Sequence, residues 1–416
     1  MRKVLIVAYY FPPQNYIGAH RPFRFARHLP KFGWKVSVVS SIGAERFRAD
    51  YSLLKYLPDS VEVIRIPSEA EAPVFGDVPQ NVISKSIRKA ARTLSNWIFF
   101  PDRKVLWSIR VASLLPKLAN RLKPDVIWIT APPFSAFVVG MVAQRLGISW
   151  VADFRDAWSP DVLELYTSLQ QRIAQRLERK VLTEASVVTS VNKRIVEYQR
   201  RLAKRAKIEL LHNGFDSELI PQAEWMRLNP KRFRISYIGN LVGKRDPHPL
   251  FACISKFLQM RPSAVANLEV TFVGKSSHDI EKIAKGYGLS GNLRLLDFTS
   301  YREAAKMGIN STVLWMIVSS LERSAELITP GKLFDYIGFM RPIIAHAPKG
   351  AVWDIIEELG DSFAFEDSDA DGCALSLALL FDQFQRGRLY VNKNARMKFE
   401  IERLTERLAS ILQAFC

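Results

Sequence analysis

The residues VLIVAYY at positions 3–9 constrain the fold more than any other stretch. They are apolar and β-branched, without polar alternation, so a strand made of them is buried on both faces. That is the mark of a parallel sheet covered by helices. A loop, FPPQNYIGAHR, a helix, PFRFARHLPKFG, and a second strand, VSVVSS, follow directly. Strand, loop, helix and strand in this order make a βαβ unit. The alternation returns in VIWIT, ISWVA and SVVTSV, and later in FRISYI, LEVTFV, LRLL and VLWMIV. In open α/β sheets ligands sit at the carboxyl ends of the strands, so the loops after these segments carry the functional candidates. In the first such loop Gly18-Ala19 lets the backbone approach a ligand and Arg21 opens the next helix. A plain βα connection explains the same residues.

At 416 residues the chain has room for two domains, each with a sizeable core. Its 48% hydrophobic and 24% charged residues exclude a disordered chain. A net charge of +18 points to a polyanionic partner, nucleic acid or an anionic membrane surface. Cys253, Cys373 and Cys416 are scattered, which argues against a disulfide scaffold or zinc site and fits a reducing compartment. No apolar run reaches the roughly 18 residues that span a bilayer. The start, MRKVLIVAYYFPP, imitates a signal peptide but is too short and runs into prolines, so it reads as the first strand of an intracellular protein.

The stretch around which the second half is organised is 325–347, AELITPGKLFDYIGFMRPIIAHA. Thr329-Pro330-Gly331 reads as a turn and a helix start, and Lys332 to Met340 as a short helix with Leu333, Phe334, Ile337 and Met340 on its apolar face. Arg341-Pro342 stops it, and Ile343-Ile344-Ala345 is a buried strand. The free N–H groups of such a helix start, with Lys332 beside them, suit a diphosphate. Asp335, one turn further, suits two sugar hydroxyls. An ordinary αβ connection accounts for the same pattern.

The first half carries two further candidate regions. Trp97, Ile98, Phe99, Phe100 and Trp107 are interleaved with Arg88, Lys89, Arg92, Arg103 and Lys104. That mixture fits an interfacial membrane patch. A solvated surface over a normal core would use the same residues, as would nucleic-acid stacking and phosphate contact. No nucleic-acid-binding module accompanies them, and no nucleic acid is expected as partner. Downstream, DFRDAW follows the strand ISWVA. There Asp153 and Asp156 suit an acceptor hydroxyl, and Arg155 suits a phosphate or a neighbouring carboxylate. An internal Asp–Arg pair bracing the loop is the other reading. The acidic loop EDSDADG imitates the start of a calcium loop, but its twelfth position is Ala378 rather than Glu, so no metal is expected there.

P-x-K-[LF]-[FD]-Y followed by P-I-I resembles the donor-binding signature of GT-B glycosyltransferases of the family 4 type. The block from F-P-D-x-x-x-x-W through the proline-rich loop to D-x-R-D-x-W resembles that family's N-terminal domain, and N-G-x-D at 213–216 its end. The resemblance implies two Rossmann-like domains with parallel sheets facing a central cleft. It puts the nucleotide diphosphate at Gly331 and Lys332 and the ribose at Asp335, where the family usually has Glu. A second family Glu falls at Leu327, with Glu326 beside it. In the loop after FRISYIGN the family has Arg one residue after Gly239 and Lys five further on; here those positions are Asn240 and Arg245, with Lys244 adjacent. Phe298 to Tyr301 fall at the base-binding loop.

The expected organisation is therefore an acceptor domain over 1–220, a nucleotide-sugar domain over 232–393, and a helix over 394–416 packing back on the first. The expected donor set is Gly239, Lys244, Arg245, Gly331, Lys332 and Asp335, with Gly18 from the first domain. The expected acceptor set is Arg21 and Arg155, with Asp153 and Asp156 in the chemistry. The resemblance implies retaining, metal-independent sugar transfer from a nucleotide-diphosphate sugar to a glycan or lipid-linked acceptor, for cell-surface polysaccharide, with no cofactor. It places the protein in the cytoplasm at the inner face of the membrane. A nucleotide-sugar epimerase and a non-catalytic partner of this fold remain as alternatives.

Overall fold

The computed structural model describes residues 1–14, 16–42, 49–68, 97–161, 167–220, 232–297 and 300–416. The chain divides into two compact units. One is Met1–His212 with Glu402–Cys416, and the other is Asn213–Ile401.

The first unit is built on seven parallel strands: β1 (Arg2–Ala8), β2 (Trp34–Ile42), β3 (Glu62–Pro67), β4 (Val126–Ala131), β5 (Ser149–Phe154), β6 (Val187–Ser190) and β7 (Ile208–Leu210). Their spatial order is β3-β2-β1-β4-β5-β6-β7. The chain steps outward from β1 in one direction to β3 and in the other to β7, so the loops after β1 and β4 flank the switch point of the sheet. Almost every residue of β1, β4 and β5 is buried, as their unbroken apolar runs require. The helix Val105–Leu122 runs through Pro116 rather than breaking there. Trp107, Val111 and Leu115 face the core from it.

The second unit repeats the plan with six parallel strands: β8 (Phe233–Ile238), β9 (Leu268–Val273), β10 (Leu293–Leu296), β11 (Val313–Ile317), β12 (Ile343–His346) and β13 (Phe363–Phe365). The order β10-β9-β8-β11-β12-β13 puts its switch point between β8 and β11. Helices His248–Met260 and Ala370–Gln385 pack together on one face, and there Cys253 and Cys373 are joined as a disulfide. The scattered spacing of the cysteines argued against such a pairing. Two positions 120 residues apart carry no local signal, and only the packing of these helices brings them together.

Two local details bear on the sequence readings. The acidic loop ends in a helix cap, in which Asp369 accepts from the N–H of Gly372 at 2.9 Å. The closing segment is not one helix. A short turn, Lys393–Arg396, is followed by a break, and the final helix is Ile401–Gln413. The break is where the Phe399 carbonyl accepts from the N–H of Phe215 and the N–H of Ile401 donates to the carbonyl of Phe215.

Candidate functional site

In the second unit the chemistry gathers at the switch point. β8 ends at Gly239, whose φ of +119° is a backbone conformation open to glycine. No side chain caps the start of the helix Gly331–Gly338, so the N–H groups of its first turn have no side-chain acceptor. The helix is anchored on β8 by Tyr336. Its hydroxyl accepts from the N–H of Ile238 at 2.7 Å and donates to the carbonyl of the same residue at 3.2 Å.

Lys332 sits on this helix start and passes against Gly239, where an added Cβ would meet the lysine Cδ at 3.9 Å. Its Nζ is buried, has no hydrogen-bond partner and lies 3.7 Å from the centre of the Tyr237 ring. Burial drives its pKa well below the ordinary lysine value, the nearby Arg245 adds to that, and Glu322 opposes it. Lys332 thus faces a π ring and lies near a second cation, in surroundings where burial disfavours its charged form. Arg245 lies within 3.7 Å of the Glu322 carboxylate, while Lys244 reaches away to the carbonyl of Leu321 at 3.0 Å. Both contacts link the loop after β8 to the loop after β11. Asn240, at the position of the family arginine, has another task. Its Oδ1 accepts from the N–H of Lys275 at 3.2 Å and joins the loops after β8 and β9.

Asp335 is buried one turn along the same helix and accepts from the Tyr301 hydroxyl at 3.0 Å. Glu326, beside Leu327, is exposed. Its backbone is pressed against Gly350, where a Cβ would lie 2.3 Å from the Glu326 carbonyl oxygen. Phe298 and Thr299 lie outside the described residues.

In the first unit the sequence candidates fall into two groups. Arg21 and Asp153 hold each other. The guanidinium reaches the two carboxylate oxygens at 2.9 and 2.7 Å. Thr130 and Thr189 donate to the same carboxylate at 2.7 and 2.6 Å. Arg21 also donates to the carbonyls of His212 and Leu211. Asp153 is fully buried, so this cluster ties the helix His20–His28, β4, β5, β6 and the chain after β7 into one block.

Arg155 and Asp156 form the other group. Arg155 donates to the carbonyls of Ala131, Pro132 and Gly18, bridging the two loops at the switch point. A Cβ on Gly18 would lie 2.9 Å from both an Arg155 nitrogen and the Tyr16 ring, so a larger residue there would displace those side chains. Burial lowers the Arg155 pKa, and Asp156 and Asp153 oppose the shift. Burial raises the Asp156 carboxyl against the opposing charge of Arg155. Asp156 keeps partial exposure, unlike Asp153.

The upstream F-P-D motif supports the same end of the sheet. Asp102 accepts from the N–H and hydroxyl of Ser135, each at 2.8 Å, and fixes the proline-containing loop after β4. Of the aromatic candidates for a membrane patch, Trp107 is a core residue in edge contact with Tyr9. Trp97 and Ile98 are exposed, and Arg88, Lys89 and Arg92 lie outside the described residues. Among the described residues no helix is long and apolar enough to cross a membrane.

Residues 19–214 match the family described as the glycosyl transferase 4-like domain. The solved structure of sucrose-phosphate synthase from Thermosynechococcus elongatus is similar over 100% of this chain and 99% of its own, at 13% identity and a TM-score of 0.64. TarM is similar over 99% of each chain, at 10% identity and a TM-score of 0.68. Anabaena HepE in complex with UDP-glucose matches over 100% of each chain, at 13% identity and a TM-score of 0.62. The chain has the GT-B fold. No curated protein sequence matches it.

In GT-B terms, the structure brings Gly239, Arg245, Gly331 and Lys332 together in the second unit, with Asp335 one turn along the helix from Lys332. Lys244 is turned toward Leu321. In the first unit it separates Arg21 and Asp153, which serve each other, from Asp156. Sequence reasoning did not single out Tyr237, although it sits two residues before Gly239 on a predicted strand. It also missed the buried Glu178, which accepts from the Ser159 N–H and hydroxyl at 3.0 and 2.6 Å and from Tyr198 at 3.0 Å. Glu178 lies in a basic helix read as a solvated face. A Glu set among basic residues gave no sign of its burial.

Proposed function

We propose that this protein transfers a sugar, of the hexosyl type, from a nucleoside-diphosphate sugar to a glycan or lipid-linked acceptor. The observation that carries the reading is Lys332: a buried ammonium without a hydrogen-bond acceptor, at an uncapped helix start, with Arg245 beside it. A diphosphate is the ligand that relieves all three conditions at once. During transfer the bond from the anomeric carbon to the diphosphate oxygen breaks and negative charge grows on the leaving group. Lys332, Arg245 and the helix-start N–H groups stabilise that charge, so the chemistry runs without a metal ion or cofactor.

On the first unit, Asp156 orients the acceptor hydroxyl. Its raised pKa brings it nearer the range in which a carboxyl exchanges a proton at neutral pH. Arg21, Asp153 and Arg155 are positioning residues that hold the loops around it, with Gly18 as the close-packed floor. A retaining outcome follows from the family resemblance. The excess of basic residues and the exposed Trp97 and Ile98 support docking on an anionic membrane surface from the cytoplasmic side, in cell-surface polysaccharide synthesis.

A thermal-shift screen with UDP, GDP, dTDP, CMP and ADP tests the reading. One nucleoside diphosphate raises the midpoint in a concentration-dependent way in the native protein. The absence of any shift in a folded sample would overturn it. Turnover of the donor sugar with no acceptor present would point to the epimerase alternative.

A further inference from the structure

The amino-terminal edge of the first sheet, opposite the loops that carry Gly18 and Arg155, holds a cavity of about 200 Å³. Lys3 of β1, Lys35 and Ser37 of β2, Glu62 of β3 and Arg121 from the last turn of the helix Val105–Leu122 line it. Register explains the grouping. Lys3 stands beside Lys35, Leu5 beside Ser37, and Ser37 beside Glu62, so these side chains share one face of the sheet. Toward the other end of the strands the helix covers that face with Trp107, Val111 and Leu115. At Leu122 the helix ends, and the polar row beyond it is left open.

Two observations mark this cavity. Lys3 and Lys35 are neighbours on paired strands, and neither ammonium has a hydrogen-bond or ion-pair partner among the described residues. Glu62 is held by Arg121 at 2.8 Å, and beside Lys3 the Asp125 carboxylate accepts from the Lys3 backbone N–H at 2.7 Å. Like charges side by side on a sheet repel, and the lining holds three cations against one carboxylate. The second observation is Ser37. It is 6% exposed, it lines the cavity, and its hydroxyl makes no hydrogen bond among the described residues. A buried hydroxyl without a partner carries a desolvation cost that a ligand acceptor removes.

We propose that this cavity binds a phosphomonoester, at a site separate from that of the nucleotide sugar. Such a group carries about two negative charges near neutral pH and three strong acceptor oxygens. Lys3 and Lys35 balance the charge, and the Ser37 hydroxyl donates to an oxygen between them. A monoanionic carboxylate would leave one of the two lysines unbalanced. The cavity is smaller than the roughly 300–1,000 Å³ of pockets that enclose drug-sized ligands, so the body attached to the phosphate is short, and a nucleoside diphosphate is too large. Leu5 and Leu122 give that body an apolar wall. The site lies at the edge of the sheet opposite Asp156, so its ligand is not a reactant in sugar transfer. A soluble phosphate ester and the headgroup of phosphatidic acid present the same chemistry.

The test is titration calorimetry of the full chain with glycerol 3-phosphate at fixed ionic strength. The variants are Lys3→Gln/Lys35→Gln, Ser37→Ala, Lys332→Met and, as a control for general charge, Lys204→Gln/Lys207→Gln. Saturable binding is expected in the native protein, in K332M and in K204Q/K207Q. The Kd should weaken roughly tenfold or more in K3Q/K35Q, which loses two charged hydrogen bonds, and several-fold in S37A. S37A keeps both charges and carries the test alone should the double variant fail to fold. Absence of saturable binding in the native protein overturns the proposal, as does a native Kd in both K3Q/K35Q and S37A. Loss of binding in K332M instead would place the phosphate at the donor site, and acetate binding as tightly as glycerol 3-phosphate would overturn the ligand class. Vesicle sedimentation separates the two sources. A preference for phosphatidic acid over phosphatidylglycerol that glycerol 3-phosphate competes away supports the proposal with a lipid headgroup, and calorimetric binding without that preference supports it with a soluble ester.

Discussion

Replacing Lys332 with methionine separates the cost of this side chain to the fold from its use in binding. In the free protein the ammonium is held 3.7 Å from the centre of the Tyr237 ring and has no hydrogen-bond acceptor. A desolvated cation–π contact is worth about 2 kcal/mol. An unpaired buried ammonium costs several kcal/mol, and Arg245 adds repulsion. The penalty is the larger, so Lys332→Met, which fills similar space, should raise the thermal midpoint of the ligand-free protein. Binding moves the other way. Removing one partner of a buried, hydrogen-bonded charge pair costs about 2–5 kcal/mol, or about 30- to 4,000-fold in Kd at 1.4 kcal/mol per tenfold.

A proton accompanies the effect. The Lys332 pKa lies well below the ordinary 10.5 in the free protein and rises when an anion arrives. Diphosphate binding therefore takes up a proton above the lowered value, seen as a buffer-dependent enthalpy that K332M abolishes. The unfolded chain binds more protons in the window between the lowered pKa and 10.5, so native stability rises with pH through it, and K332M removes that rise. A variant with a lowered midpoint, or with native nucleotide affinity, would refute the reasoning.

Three more outcomes follow from the same geometry. Asp153→Asn breaks a fully buried pair with Arg21 and should destabilise the protein by about 3–5 kcal/mol in urea unfolding; loss of activity at an unchanged urea midpoint would instead place Asp153 against substrate. His346 is buried, accepts from Trp315 Nε1 at 2.8 Å, and has its pKa lowered by burial to about 4 from 6.5. The unfolded chain binds the extra proton between these values, so stability falls by about 3 kcal/mol as pH drops from 6.5 to 4. His346→Gln should flatten that limb of the pH–stability curve, and an unaltered limb would remove His346 from the account. Ile98→Asp should weaken co-sedimentation with anionic lipid vesicles several-fold while leaving nucleotide binding unchanged; equal sedimentation would place the membrane face elsewhere.

The parallel sheets were legible because strands buried on both faces leave unbroken apolar runs, and VLIVAYY, VIWIT and VLWMIV have few other ways to be buried. The helix at 331 was legible through its Pro-Gly entry and its Arg341-Pro342 exit, both local signals. Local chemistry also told which loops follow strand ends, and hence that Gly239, Gly331, Lys332 and the DFRDAW segment belong at the carboxyl edges of the sheets. Pairing was not legible. The surroundings of Asp153 and Asp156 differ although the two stand three residues apart in the chain. Asp153 faces two threonines and an arginine brought from β4, β6 and the first helix, while Asp156 does not. Trp107 and Trp97 have the same chemistry, yet one faces the core and the other solvent.

The sequence by itself determined the alternation of strands and helices, the basic balance, and the residue types available at each strand end. These follow from burial and backbone conformation, which act over a few neighbouring residues. Only the tertiary structure decided that Lys332 lies over Tyr237 without a partner, that Tyr301 meets Asp335, and that Cys253 meets Cys373. Each depends on the direction of a side chain after distant segments have packed, and interactions over such separations leave no periodic trace in the chain.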